Sequence, residues 1–353
     1  MAYTTIDDPT AFFQCKLYTG TGSSHAITLD GPTDMQPDMV WWKERTSTDY
    51  HTIVDSVRGA TKRIFTNVDE AADTNAESLK SFQSNGFTMG TNTGANHANQ
   101  TYVAWNWKAG TSFTNHASST SVGSIDSAGS VNTTAGFSIT SYTGTGSAGT
   151  IAHGLGATPA MIIFKNLSRA TNWLVYHKGI AATKFLYLNA TDQAGTDSGH
   201  FNDTEPTSSV FSVGNANGTN YDSEAHIAYC YAEKQGYSKF GIYTGNNVVD
   251  GAFVYTGFKP AFVMVKLIDN QTDGWVMEDN KRNPINLAAS TRLRANTNAA
   301  EFSSANEIDF LSNGFKCRGD DGEINGDGFK HIYMAFAENP FVTSTGVPST
   351  TRL

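Results

Sequence analysis

An all-β fold, built as three tandem antiparallel β-sandwich modules of jelly-roll or lectin-like type, is what this 353-residue sequence predicts. Three observations carry the expectation. Only 16% of the residues are charged while 33 are glycine, with long Ser, Thr, Asn and Asp stretches, the balance of many short strands joined by polar turns. The phrase Tyr-Thr-Gly occurs at Tyr18, Tyr142 and Tyr243, each time followed by a Gly, a Pro and an apolar run closing on Lys43, Lys165 or Lys266. The Tyr-to-Lys intervals 18–43, 142–165 and 243–266 agree to within two residues, which marks an internal repeat.

Taken in order, each Tyr-Thr-Gly reads as a strand entering a turn. The apolar runs Met39–Trp42, Met161–Phe164 and Phe262–Val265 read as strands buried on both faces. Alternation then puts Trp41 and Trp42 on opposite faces, so one meets an inter-sheet core and the other must be covered by a loop, a neighbour or a ligand. Tyr50–Val54, Asn172–Tyr176 and Gly274–Met277 suit a further hairpin. Asp69–Phe82, with Ala71, Ala72, Ala76, Glu77 and Leu79, is the one segment with the propensity for a short helix. Ser84-Asn85-Gly86-Phe87 and Ser312-Asn313-Gly314-Phe315 carry the Asn-Gly signal of a type I′ hairpin, and Ser208-Ser209-Val210-Phe211 is its worn copy. Last come Tyr102–Trp107, His226–Tyr231 and His331–Phe336, where Val103, Trp105 and Trp107 share a face, as Ile227, Tyr229 and Tyr231 do. The modules fall at 1–108, 135–234 and 236–341. A Ser/Thr/Gly-rich linker, a flexible connection or a laid-down arm with Val122, Ile125 and Val131 its only aliphatic residues, occupies 109–134, and a tail 342–353.

A net charge of -9 and a pI near 5.4 oppose nucleic-acid binding, which draws on Lys and Arg to neutralise phosphates. Three scattered cysteines, Cys15, Cys230 and Cys317, fit buried free thiols better than a disulfide framework or a zinc site. No basic, apolar leader opens the chain, and no apolar run approaches the ~18 residues of a membrane span, so synthesis in the cytoplasm without membrane insertion is expected.

The first module resembles a repeat domain of unknown function in virion proteins of marine tailed phages of cyanophage and pelagiphage type. The likeness lies in the opening MAYTTI, Lys16–Gly20, Gln36-Pro37-Asp38, Trp42-Lys43, the phrase Asp55–Lys62, Ser84–Phe87 and Tyr102–Trp105. The second and third modules share only its skeleton, since Asp-Ser-Val-Arg-Gly is absent from both. The resemblance implies a concanavalin-like sandwich on the surface of a phage particle, with no catalytic residues to transfer.

Candidate chemistry is sparse. The acidic loop with Asp320, Asp321, Glu323, Asn325 and Asp327 reads first as a solvated turn and second as hard oxygen ligands for a calcium ion, since the twelfth position counted from Asp321 is Ile332, where an EF-hand needs a bidentate Glu. Trp41 and Trp42 read first as core or subunit-contact residues and second as platforms that stack on sugar rings. Arg58, Lys62 and Arg63 form a basic cluster that turn chemistry explains, with docking of an acidic partner surface as the alternative. Asp30, Asp38 and Glu44 lie near the first apolar strand, but the other modules do not repeat them, and no HExxH or GxSxG stands in a credible context. The expectation is a non-catalytic virion-surface protein, a tail-associated subunit for assembly and host attachment, contacting other virion proteins, copies of itself and a host surface glycan. A head decoration protein and a glycan-binding adhesin are the alternatives, with a polysaccharide hydrolase behind them.

Overall fold

Three large antiparallel sheets and three small ones hold the strands, and helix is confined to one 3-10 turn and five four-residue α-turns among the described residues. A computed structural model describes residues 2–269, 273–284, 286, 289–305 and 308–349, so the last four residues of the expected tail lie outside it. In the first large sheet an opening strand, Phe13–Thr19, pairs with a closing strand, Thr101–Trp107, which pairs with a central strand, Met39–Glu44. Thr52–Asp55, Lys62–Phe65 and a rim strand, Asp73–Thr74, follow outward. The same order recurs as Phe137–Thr143, Ala225–Ala232, Pro159–Asn166, Leu174–His177, Lys184–Tyr187 and Gly195–Thr196. It recurs again as Ser238–Thr244, Lys330–Pro340, Phe258–Leu267, Trp275–Asp279, Ala289–Arg294 and Phe302–Ala305.

Register is kept across the three. Tyr18, Tyr142 and Tyr243 lie opposite Tyr102, His226 and His331, while Lys43, Lys165 and Lys266 lie opposite Val103, Ile227 and Ile332. A one-residue slip would have reversed every inward side chain.

Two alternatives that the sequence left open are decided. Within residues 109–134, Thr111–Asn115 and Ser127–Asn132 form two more strands beside the second opening strand, making that sheet eight-stranded. The few aliphatic residues are what fasten this segment, since Ile125 and Val131 are buried in the second sandwich core. Asp69–Phe82 contains no helix. Ala72 donates its N–H to Leu167 O, and Leu79 is fully buried on a hairpin strand, Leu79–Gln83, so tertiary pairing overrides a weak local propensity.

Each large sheet turns one face to a small sheet and encloses a sandwich core, which holds Trp42, Phe87 and Met89 in the first pair. Its other face joins a core common to all three, where Phe13, Trp41, Trp105 and Trp107 meet Phe137, Tyr229, Tyr231, Phe240, Phe262 and Phe336. The seams between pairs repeat one backbone hydrogen bond: Ala72 N to Leu167 O at 3.0 Å, Ala194 N to Ile268 O at 3.0 Å, and Glu301 N to Arg45 O at 2.8 Å. Every acceptor stands two residues beyond the recurrent lysine, and the third seam returns to the first pair. The three sheet pairs therefore close a ring around one core. Trp173 Nε1 to Phe65 O and Trp275 Nε1 to Tyr187 O, both 2.8 Å, reinforce two seams, and a bidentate Arg45–Glu301 pair reinforces the third.

Turn chemistry explains the repeated phrases. The hydroxyls of Tyr18, Tyr142 and Tyr243 donate to the carbonyls of Ala95, Thr219 and Ile324, each next to a fully buried asparagine that ends an α-turn: Asn96, Asn220 or Asn325. Asn96 Nδ2 donates to Ser23 O and Gly90 O while its Oδ1 accepts from Thr21 N, and the other two repeat the pattern. The glycine of the phrase is needed for close approach, because a Cβ on Gly20 would stand 2.1 Å from His97 O. Asn96→Ala strands three backbone groups, so a loss of about 2–3 kcal/mol in urea unfolding is expected.

The Asn-Gly hairpins differ from the expected type I′. Gln83 pairs with Gly86, and Leu311 with Gly314, so the two loop residues are Ser-Asn and the glycine starts the next strand. Neither Ser84 nor Asn85 has a positive φ. Glycine is demanded at position 86 itself, by a φ of 119° and by the neighbouring strand, since a Cβ there would lie 2.0 Å from Ile27 O.

Candidate functional site

The structure disperses most of the residues singled out for binding. Trp41 and Trp42 are each 1% exposed, one in the common core and one in the first sandwich core, so neither presents a ring to a sugar. The cover left open for the second tryptophan is the rest of the same chain. Arg58, 4% exposed at its side chain, is no docking residue: it pairs with Asp55 inside the molecule. Arg63 pairs with Asp73 and lies over the Phe65 ring, which leaves Lys62 as the exposed member of the basic cluster.

The acidic loop is likewise corrected. Asp321 caps the α-turn Gly322–Asn325 by accepting from Glu323 N and pairs with Arg292, Glu323 pairs with Arg294 and Arg292, and Asn325 is the third buried asparagine described above. Asp320 and Asp327 are exposed. The loop is the equivalent of Gly90–Asn99, which holds the same fold with no acid, and of Gly214–Ser223, which holds it with Asp222 alone, so the carboxylates of Asp321 and Glu323 serve arginines and the turn. Among the described residues no group of three His, Cys, Asp or Glu is placed to hold a metal ion. Asp30, Asp38 and Glu44 do not converge either. Asp30 pairs with Lys16, Asp38 accepts from Ser56 Oγ and Ala109 N, and Glu44 accepts from Tyr102.

What the fold does bring together is a pair of buried charge clusters in the common core. Arg58 Nε donates to Asp55 Oδ2 at 2.6 Å, and Tyr229 of the second pair donates to the same oxygen at 2.6 Å. Arg282 Nε donates to Asp279 Oδ2 at 2.6 Å, which also accepts from Trp105 Nε1 of the first pair at 3.1 Å. Burial works against both guanidinium charges, but the adjacent Asp55 and Asp279 outweigh it and hold the arginines above their ordinary values. In the second pair the same rung holds His177, whose Nε2 reaches Tyr333 O of the third pair. Each cluster thus couples one sheet pair to another. The third-pair cluster had a sequence signal in Asp279-Asn280-Lys281-Arg282, which keeps the Asp and Arg of the Asp55 phrase at the same spacing.

Two of the recurrent lysines do the same at the seams, while Lys43 Nζ donates to Glu44 O and Ser47 O of its own pair. Lys165 Nζ donates to Asp69 O and Thr171 O, and Lys266 Nζ to Thr191 O, Leu267 O and Asp273 O. Burial pushes Lys43, Lys165 and Lys266 down to about 8. The three cysteines are buried free thiols, and burial pushes Cys230 up to about 12. A cavity of about 260 Å³ lies at the third seam between Gln14, Cys15, Asp30, Ala261, Lys281 and Glu338, but Asp30 is already paired with Lys16 and Glu338 with Lys259.

Among known proteins, a family model described as a domain of unknown function (DUF7483) matches residues 8–340. No curated protein and no solved structure matches the chain.

Proposed function

The chain belongs to the DUF7483 domain family over nearly its whole length, and from that premise we propose that the closed ring acts as a whole: a non-catalytic structural subunit on the surface of a tailed-phage particle, tail-associated and engaged in assembly and host attachment. One observation carries the reading. The aromatic and charged residues that a catalytic or sugar-binding protein would direct outward are spent here on closing three sheet pairs around one core. What remains to the outside is shape, strand edges and turns, the currency of assembly. The likeness of the first hundred residues to virion proteins of marine phages supplies the particle.

A head decoration subunit is the second reading, favoured by the ring itself, because a three-part ring matches a threefold position of a head lattice. Quantitative protein analysis of purified particles, with antibody labelling under the electron microscope, tests both. Label on the tail is expected. Label on the head would transfer the reading to decoration, while absence from particles, or polysaccharide turnover abolished by one carboxylate substitution, would end the structural reading.

A further inference from the structure

One strand edge is covered in the second sheet pair and bare in the third. In the second small sheet, Gly149–Ala152 pairs on one side with Val210–Val213. Its other side is covered by the segment Ser124–Ser127, joined through a parallel bridge between Ile125 and Ile151. Ser124 N and Ile125 N donate to Thr150 O at 2.8 and 3.0 Å, Thr150 N donates to Ser124 Oγ at 2.9 Å, and Ser127 Oγ donates to Ala152 O at 2.8 Å. Ile125 drops into the sandwich core, 6% exposed.

The equivalent strand of the third pair is Phe253–Tyr255, which pairs with Gly314–Cys317. Cys317 N donates to Ala252 O and Thr256 N to Asn313 O, so residues 252, 254 and 256 face the partner strand. Antiparallel alternation then turns the peptide groups of Phe253 and Tyr255 to the open edge. Among the described residues no hydrogen bond reaches them there. Phe253 is 48% and Tyr255 52% exposed, with Val248 and Val249 exposed just before them in the chain. The first pair has Ala26 and Thr28 at these rungs, small side chains that leave nothing apolar to cover.

We propose that the open edge of Phe253–Tyr255 is a docking site for an extended segment of a neighbouring protein subunit. The segment adds a strand parallel to it, as Ser124–Ser127 does one sheet pair earlier. The occupant is a Ser- and Gly-rich stretch with one β-branched aliphatic residue at the place of Ile125. Its N–H groups reach the outward carbonyl of Phe253, and its aliphatic side chain lies beside Val254 on the core side of the edge, as Ile125 lies beside Ile151. An uncovered edge flanked by aromatic side chains is also the feature that a free protein would blunt with charge or proline, and this one carries neither. The inference rests on the reading of the chain as an assembly subunit and names the surface that assembly uses.

The probe is a synthetic peptide with the sequence of residues 121–129, Ser-Val-Gly-Ser-Ile-Asp-Ser-Ala-Gly, added to the full chain while amide exchange is followed residue by residue. Saturable slowing at the Phe253 and Tyr255 amides is expected, with Ala26 and Thr28 unchanged. A peptide N-methylated at its isoleucine should bind at least about tenfold more weakly, as should the Tyr255→Pro protein, which loses one outward donor at an edge position where proline is tolerated. No slowing at millimolar peptide, slowing that survives both changes, or protection that depends only on protein concentration and so marks a second copy as the occupant, would each overturn the proposal. Absence of the chain from particles would instead sink the structural-subunit reading whatever the peptide does.

Discussion

Between pH 6.5 and 4 the protein is expected to lose most of its stability, because the unfolded chain takes up protons on histidines that stay neutral while they are buried in the fold. Burial pushes His153, His177 and His226 down to about 4, and lowers His51, His200 and His331 as well. Geometry gives the reason. Leu155 N donates to His153 Nδ1 while Nε2 reaches Thr207 O, and Gly179 N donates to His177 Nδ1 while Nε2 reaches Tyr333 O, so both rings are held as neutral imidazoles with their single lone pair in use. An unfolded imidazole takes its proton near 6.5 and these near 4, so in that window the unfolded state binds more protons. Stability is therefore full above 6.5 and falls as pH drops. Each of the three contributes on the order of 3 kcal/mol by pH 4. Three such terms reach the scale of a typical total stability, about 5–15 kcal/mol. Carboxylates act later: burial opposes it, but Arg169 and Asn166 hold the Glu224 carboxyl below its ordinary range. Circular dichroism and urea titration from pH 7 to 4 check this. An unfolding midpoint unchanged across that range would refute it.

The sequence made the strands and their register legible, and left the way they close almost invisible. Tyr18, Lys43 and Trp105 are recoverable because period-two alternation and a repeated phrase are local signals. The covering of both Trp41 and Trp42 was also legible as a requirement, though its agent was not. The seam bonds of Ala72, Ala194 and Glu301 involve chemically unlike residues, since only their backbones take part, and no side-chain pattern could announce them. Arg58 reads as a surface cation because its phrase is a turn. Its real surroundings come from Tyr229, 171 residues away. The linker was legible only as one of two alternatives. A stretch rich in Ser and Gly reads as a flexible connection or as a laid-down arm, and Ile125 and Val131 anchor it as the arm once a sheet edge is waiting. In the acidic loop, composition left a turn and an ion both open, and comparison of Asn325 with Asn96 and Asn220 shows a turn motif.

Asp279→Ala is expected to cost about 3–5 kcal/mol and to lower a single unfolding transition of the whole chain, not of the third sheet pair alone. Asp279 and Arg282 are both 0% exposed at their side chains. Removing the carboxylate leaves Arg282 with Met277 O at 2.8 Å and a longer contact to Glu301 at 3.4 Å, too little to balance a buried charge. It also strands Trp105 Nε1 from the first pair, and through it the common core shared by all three. That coupling is what makes the loss global: a core built jointly from Trp105, Tyr229 and Phe336 cannot melt in one third. The double variant Asp279→Leu with Arg282→Met replaces the pair by apolar groups of similar size and should recover most of the loss, because the penalty lies in the unpaired charge more than in the missing attraction. Urea unfolding followed at once by tryptophan fluorescence and circular dichroism gives the answer. Two separated transitions in the single variant, or a double variant no more stable than the single one, would show that the three sheet pairs are independent and that the buried pair does not join them.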